Sequence, residues 1–287
     1  MSLISNKEKF MKKCRSFLLI VNEVKDTNLK YSHQTEDIIR ENGGTSKLVI
    51  GTDPESIIEA ASDVDAVIVL GGDGTILRVA HAMVDIKGVP VIGINLGTVG
   101  FMAEVVVSDI DNMVHRLMTG DYRVEERMML NGTMGDQSHD ALNDIVMARQ
   151  DALRIIAVKI YVNGMYFDTT EADGIILSTP TGSTGYNLSA GGPIVKPDAR
   201  LLVMTPISPY SMSRRSIVFG VDDRITLELL EKRKDIENKA LIAYDGAVSI
   251  PMKVGDAVDI SVSRHTFEII RLDNKGVFEI IRQKIGG

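Results

Sequence analysis

The 287-residue chain has no tryptophan, a single cysteine and only 5% aromatic residues. With Cys14 alone, no intrachain disulfide can form, which suits a reducing cytoplasm. The five histidines are scattered, so no Cys or His cluster stands at zinc-ligand spacing. Long apolar runs are missing too. Ala66–Leu70 (AVIVL) is far too short to span a bilayer. Near the N-terminus the apolar stretch is only FLLIV at 17–21, with no small-residue cleavage site after it, so a signal peptide is not expected. Basic excess is absent as well. A net charge of −7 without Lys/Arg runs argues against non-specific nucleic-acid binding. Any phosphate bound by such a chain must be neutralised largely by backbone N–H groups and a metal ion.

What remains is an ordinary globular composition, 44% hydrophobic and 25% charged, long enough for one large domain or two modest ones. The first part alternates short apolar runs with helix-period segments. The runs are 17–21, 47–50, 65–70 and 89–94. The helices are expected at 29–41, ending at Gly43-Gly44; after Asp53-Pro54; at 75–83; and at 108–118, ending at Gly120. This pattern predicts a parallel sheet with helices on both faces. Beyond Asp121 helical periodicity is scarce. Runs at 154–163, 166–179, 224–229 and 257–263 read as strands, with Asn163-Gly164 as a hairpin turn. A boundary near 120 therefore separates an α/β domain (1–120) from a mainly β domain (121–267). The tail, 266–285, holds two further strand-like or helix-like runs.

The sharpest local signal is AVIVL-GGDGT-ILRVA at 66–80. A buried strand enters Gly71-Gly72-Asp73-Gly74-Thr75 and a helix follows at once. Glycines let the backbone approach an anion, and the helix start adds free N–H groups and a positive dipole end. Asp73 would repel phosphate, so its place here suits accepting a proton from an attacking hydroxyl, or holding magnesium. A tight N-capped turn with no ligand is the plain alternative. Arg78, one helical turn on, is either a phosphate ligand or an unpaired surface arginine. No G-x-x-x-x-G-K-[ST], no HRD or DFG set and no G-x-G-x-x-G occurs, which excludes P-loop enzymes and protein kinases and disfavours Rossmann dehydrogenases. The next strand runs into GINLGTVGF (93–101), where Asn95 and Phe101 either line a nucleotide site or belong to the core.

A second block, DGIILSTPTGSTGYNLSAGGP at 173–193, is dense in Gly, Ser and Thr. Its hydroxyls and amides suit ribose and phosphate oxygens, and Tyr186 offers a ring; a surface loop is the alternative, opposed by Pro180 and Pro193. Asn143-Asp144 and Asp173 add polar groups suited to ribose hydroxyls.

In this order, GGDGT-x-L, GxNxGxxGF, the LND of 142–144 and the TPTGST–SAGGP block, the sequence resembles the NAD kinase family over nearly its whole length. GGDG alone is shared with phosphofructokinases and with diacylglycerol and sphingosine kinases; the TPTGST–SAGGP block discriminates. The resemblance implies transfer of a phosphoryl group from ATP to the 2′-hydroxyl of NAD, with Mg2+ on the phosphates and the dinucleotide lying between two domains. It places the proton acceptor on Asp73. Dinucleotide contacts fall on Asp73, Gly74, Phe101, Asn143, Asp144, Arg154, Asp173, Thr184, Gly185, Tyr186, Asn187, Leu188 and Ser189. Gly71, Gly72, Gly74, Thr75 and Arg78 form the phosphate loop, and no metal is expected to be held by side chains alone. It also implies a chain end (268–287) that completes the first domain, and a cytoplasmic homo-oligomer, a dimer or more often a tetramer. Three departures stand out: Gly185 where relatives carry Ala, Thr98-Val99 within the GxxGF loop, and Ala247 where many carry Gln. A lipid or sugar kinase sharing the GGDG loop, and a non-catalytic NAD(H) sensor on the same fold, are the other readings.

Overall fold

FLLIV folds as expected of a continuously apolar run: it forms the buried middle strand of a parallel sheet. The structure is a computed structural model and describes residues 12–97, 100–151, 154–211, 214–231, 239–272 and 282. In chain order the first elements are β1 (Ser16–Val21), α1 (Lys30–Glu41), β2 (Thr45–Ile50), α2 (Pro54–Ala61), β3 (Ala66–Gly71), α3 (Asp73–Ala82), β4 (Val91–Asn95), β5 (Val105–Val106) and α4 (Ile110–Thr119). There follow β6 (Arg123–Met134), β7 (Gln137–Ala141), β8 (Asp144–Arg149), β9 (Ile156–Val162), β10 (Met165–Ala172), β11 (Gly174–Ser178), α5 (Tyr186–Ser189), β12 (Leu202–Ile207), β13 (Ile217–Phe219), β14 (Ile225–Leu230), β15 (Ala240–Tyr244), β16 (Val248–Met252) and β17 (Ala257–Arg271). These group into two compact units. Among the described residues, one draws on the spans 12–76, 86–125 and 268–272, the other on 77–85 and 126–267.

The first unit is α/β. Its strands run parallel in the order β2-β1-β3-β4, with β5 and the end of β17 (Ile269 opposite Val91) also pairing with β4. On one face Phe17, Leu19, Ile68, Leu70 and Ile94 pack against Ile39 of α1 and Met113, Val114 and Leu117 of α4. On the other, Ile76 of α3 lies so close to Gly93 that a Cβ there would meet its Cδ1 at 2.6 Å. Burial on both faces explains why these strands read as unbroken apolar runs. Asp53 caps α2 by accepting from the Ser56 backbone N–H (3.0 Å), with Pro54 at the first helical position. The order 2-1-3-4 places the carboxyl ends of β1 and β3 side by side with connections leaving in opposite directions. Open α/β sheets bind ligands at such a switch point.

The second unit is antiparallel. One set of strands runs β10-β9-β14-β17, the other β13-β12-β11-β8-β15-β16. Leu130, Ile145, Met147, Val158, Ile160, Leu177, Leu227, Ile242 and Val258 form the core to which both sets contribute. Asn163 (φ 53°) and Gly164 (φ 77°) make the β9–β10 turn, both in the left-handed region that a two-residue hairpin needs. The run 166–179 is not one strand: it breaks at Asp173 into β10 and β11, which pair with different partners. Of the tail, 266–271 lies in β17, and the second run lies outside the described residues. Among the described residues no helix is long and apolar enough to cross a membrane.

Candidate active site

Two groups of polar residues stand out, one in each unit. In the first, α3 starts at Asp73, two residues earlier than helical periodicity indicates. Asp73 Oδ2 accepts the Phe101 backbone N–H (2.7 Å), and Oδ1 accepts those of Met102 and Ala103 (both 3.1 Å). A carboxylate offers about four lone-pair sites. Three are taken, and the fourth, on Oδ2, has no partner among the described residues. Gly100 makes this approach possible, because a Cβ there would overlap the Asp73 carboxylate. The 101–104 loop is pinned in turn by Arg271, 5% exposed, which donates to Glu104 Oε2 (2.8 Å) and to the carbonyls of Phe101 and Met102 (both 3.3 Å).

The glycine turn before Asp73 sits at the switch point. Asn22, just past β1, donates its backbone N–H to Leu70 O (3.0 Å) and its side-chain amide to Thr75 Oγ1 (3.3 Å). Lys25 reaches over the turn: a Cβ at Gly72 would lie 2.8 Å from its Nζ, and one at Gly97 3.7 Å away. Sequence reasoning missed both Asn22 and Lys25. The available signal was their position at the carboxyl end of the strand beside β3. Of the expected phosphate loop, Gly71 and Gly72 are buried and Gly74 is exposed. Thr75 is buried, with its hydroxyl turned toward Asn22, and Arg78 is exposed. Asn95 shapes the next turn by accepting the Gly97 N–H (2.9 Å), and Phe101 is half-buried. Thr98 and Val99 lie outside the described residues.

In the second unit the TPTGS segment is no mobile surface loop. Thr179 and Ser183 are fully buried. Thr179 bonds Leu142 O through its hydroxyl (2.6 Å) and Asn143 O through its N–H (2.8 Å), while Ser183 Oγ donates to Pro180 O (2.7 Å). Gly182 and Gly185 let this segment lie against Asn143 and Asp144. Three polar groups there have unmet capacity. Asn143 Oδ1 and Thr181 Oγ1 are buried with no hydrogen-bond partner among the described residues. Asp144, 6% exposed, has its pKa pushed up to about 7, by burial first and by the nearby Asp245 charge second. Buried polar atoms are normally paired, so this trio marks a place for a ligand.

The other expected contact residues are placed as follows. Asn187 is fully buried, with its amide spent on Ser183 O (3.1 Å), Pro193 O (3.0 Å) and the Thr205 hydroxyl (2.7 Å), so it braces the block. Asp173 is engaged by the Arg149 guanidinium at 2.7 and 3.2 Å. Thr184 Oγ1 donates to Thr181 O (3.3 Å), and Arg154 is exposed at the edge of the described residues. Tyr186 is 47% exposed, Ser189 is exposed and Leu188 half-buried.

The Asp144 environment has a measurable consequence. Its folded pKa lies above the value of about 4 expected when unfolded, so protonation favours the fold. The stability it contributes is fully present below about pH 4 and is lost as pH rises toward 7. Asp144→Asn removes that loss. The stability gained by the variant over wild type is expected to be larger at pH 8 than at pH 5 by about 2 kcal/mol. Calorimetric melting at both pH values checks this, and a pH-independent difference would refute it.

Comparison with known proteins gives the same direction from end to end. Residues 3–122 match the ATP-NAD kinase N-terminal domain and residues 142–272 the ATP-NAD kinase C-terminal domain. The NAD kinase of Lachnoclostridium phytofermentans is 37% identical over 287 residues, covering 95% of this chain and 99% of that protein. That of Acetivibrio thermocellus is 39% identical, covering 93% and 96%. The structure of an Archaeoglobus fulgidus NAD kinase in complex with ATP superposes with a TM-score of 0.77 at 25% identity, covering 94% of this chain and 97% of that one. Yeast NADH kinase complexed with NADH shares the fold with a TM-score of 0.81 at 22% identity, covering 96% and 91%. The chain belongs to the family of ATP-dependent NAD kinases.

Proposed function

We propose that this chain transfers the γ-phosphoryl group of ATP to the 2′-hydroxyl of the adenosine ribose of NAD, giving NADP, with Asp73 as general base. The observation that carries this reading is the Asp73 carboxylate: three backbone amides fix it at the head of α3, with one lone pair of Oδ2 unpaired among the described residues. A ribose hydroxyl is a weak acid and attacks only if its proton is taken as the bond to phosphorus forms. A fixed acceptor for that proton accelerates the step by about 10²–10⁴-fold. Holding the hydroxyl in line with the phosphorus supplies much of the remainder.

Each half of the reaction has its support. Lys25, poised over Gly72, meets the donor's phosphates together with the positive dipole end at the start of α3. Asn143 Oδ1 and Thr181 Oγ1, unpaired among the described residues, and the buried Asp144 carboxyl supply hydrogen-bonding atoms for the dinucleotide. Among the described residues no cluster of three or more His, Cys, Asp or Glu side chains could hold a metal ion. In this reading Mg2+ enters on the triphosphate, where it neutralises phosphate charge.

Purified protein incubated with NAD and MgATP is expected to form NADP, followed with an NADP-specific dehydrogenase. Omitting the divalent cation should stop it. Sphingosine and diacylglycerol offered in parallel should not be phosphorylated; phosphorylation of either, with none of NAD, would sink the proposal.

A further inference from the structure

His81, near the end of α3, has no part in the chemistry above, yet its ring is engaged with a buried charge. Its Nε2 lies 2.9 Å from Asp245 Oδ2, with side-chain exposures of 19% and 0%. Asp245 stands at φ 49°, a backbone conformation that non-glycine residues rarely adopt without compensation. The compensation is visible. Oδ2 also accepts the Leu142 N–H (2.7 Å), and Oδ1 accepts those of Asn143 (2.8 Å) and Asp144 (2.9 Å). The Asp245 N–H returns a bond to Asp144 O (3.0 Å).

With His81, all of about four lone-pair sites on Asp245 are filled. A saturated, fully buried carboxylate has no site left for a ligand. It can only fix what is bonded to it, and what is bonded is the 142–144 turn. That turn carries Asn143, with its unpaired Oδ1, and the buried Asp144. His81 is the one side chain in this set; the other three donors are backbone amides. Without it, among the described residues Oδ2 keeps a single partner, the Leu142 N–H, and the buried charge loses the imidazole that faces it. Such a group relaxes toward water and drags its backbone partners with it.

We propose that His81 is a positioning residue for dinucleotide binding: by hydrogen-bonding the buried Asp245 it holds the 142–144 turn and so aims the Asn143 and Asp144 side chains at the ligand. This rests on the reading that Asn143 and Asp144 bind NAD. His81→Ala is expected to raise the KM for NAD about tenfold while kcat and the KM for ATP stay within about threefold. His81→Gln, whose amide can still donate to Asp245, is expected to return the KM for NAD to within about threefold of wild type. An unchanged KM for NAD in His81→Ala, a loss spread equally over kcat and both KM values, or failure of glutamine to rescue would each overturn the proposal. Calorimetric titration of each variant with NAD alone separates the two readings. Wild-type protein that binds NAD without turning it over would sink the kinase mechanism only. His81→Ala that binds NAD as tightly as wild type would sink this inference only. If His81→Ala does not fold, His81→Glu, which sets a carboxylate against Asp245, must bind NAD at least about tenfold more weakly than His81→Gln.

Discussion

Asp73→Asn is expected to lower the rate of NADP formation by about 10²–10⁴-fold while NAD still binds. An amide has one acceptor atom where the carboxylate has two. With Oδ1 left facing Met102 and Ala103, the new –NH2 group confronts the Phe101 N–H and the open lone pair is gone. With the amide reversed, two bonds are lost instead of one. Either way one charge-assisted bond or more disappears, at about 1.5–3 kcal/mol each. The variant should therefore melt several degrees lower, a readout separate from turnover. Steady-state kinetics and calorimetric NAD binding on the same preparation check the prediction. A kcat within about threefold of wild type removes Asp73 as the base, whatever the melting temperature does.

The parts of the fold legible in the sequence are those governed by local rules. Continuous apolar runs such as 17–21 and 66–70 lie in β1 and β3 because a parallel strand is covered on both faces. Asp53-Pro54 opens α2 and Asn163-Gly164 turns a hairpin, since each dipeptide meets a backbone requirement that few residues satisfy. Illegible were features set by partners distant in sequence. Asp173-Gly174 within 166–179 is a turn dipeptide, but nothing local says that the chain there leaves β9 for β8 and β12. Nothing in 257–263 announces that β17 continues to Arg271, because its later residues owe their extension to neighbours such as Val91.

The site divides along the same line. Glycine-rich turns advertise themselves, so GGDG and TPTGST stand out in the sequence as places where the backbone turns tightly. What fixes those turns was not. Asp73 is held by amides from residues 101–103, Asn143 and Asp144 by the Asp245 carboxylate, and the 101–104 loop by Arg271. A buried Asp or Arg looks the same in sequence as one on the surface, and only the fold brings its partners to it. Asn187 shows the converse: within the TPTGST–SAGGP block, its amide serves Ser183, Pro193 and Thr205.

Gly182 and Gly185 sit three residues apart in one loop, and alanine should affect them very differently. A Cβ at Gly182 would overlap the Asn143 carbonyl and stand 2.7 Å from its Cα, all backbone atoms that cannot rotate away. The TPTG turn would have to lift from the 142–144 turn, stretching the bonds of Thr179 to Leu142 O and Asn143 O. Overpacking of this kind costs about 1–3 kcal/mol before hydrogen bonds are counted. At Gly185 a Cβ would meet Gly182 O at 3.2 Å, Asn143 Nδ2 at 3.5 Å and Asp144 Oδ2 at 3.8 Å, contacts relieved by a shift of a few tenths of an ångström. Gly182→Ala is therefore expected to raise the KM for NAD by about tenfold or more and to melt at least about 5 °C lower. Gly185→Ala should stay within about threefold of wild type in KM and kcat. If Gly182→Ala binds NAD and melts like wild type, the Asn143–Asp144 turn is not where the dinucleotide is held, because the substitution must displace that turn from its neighbours.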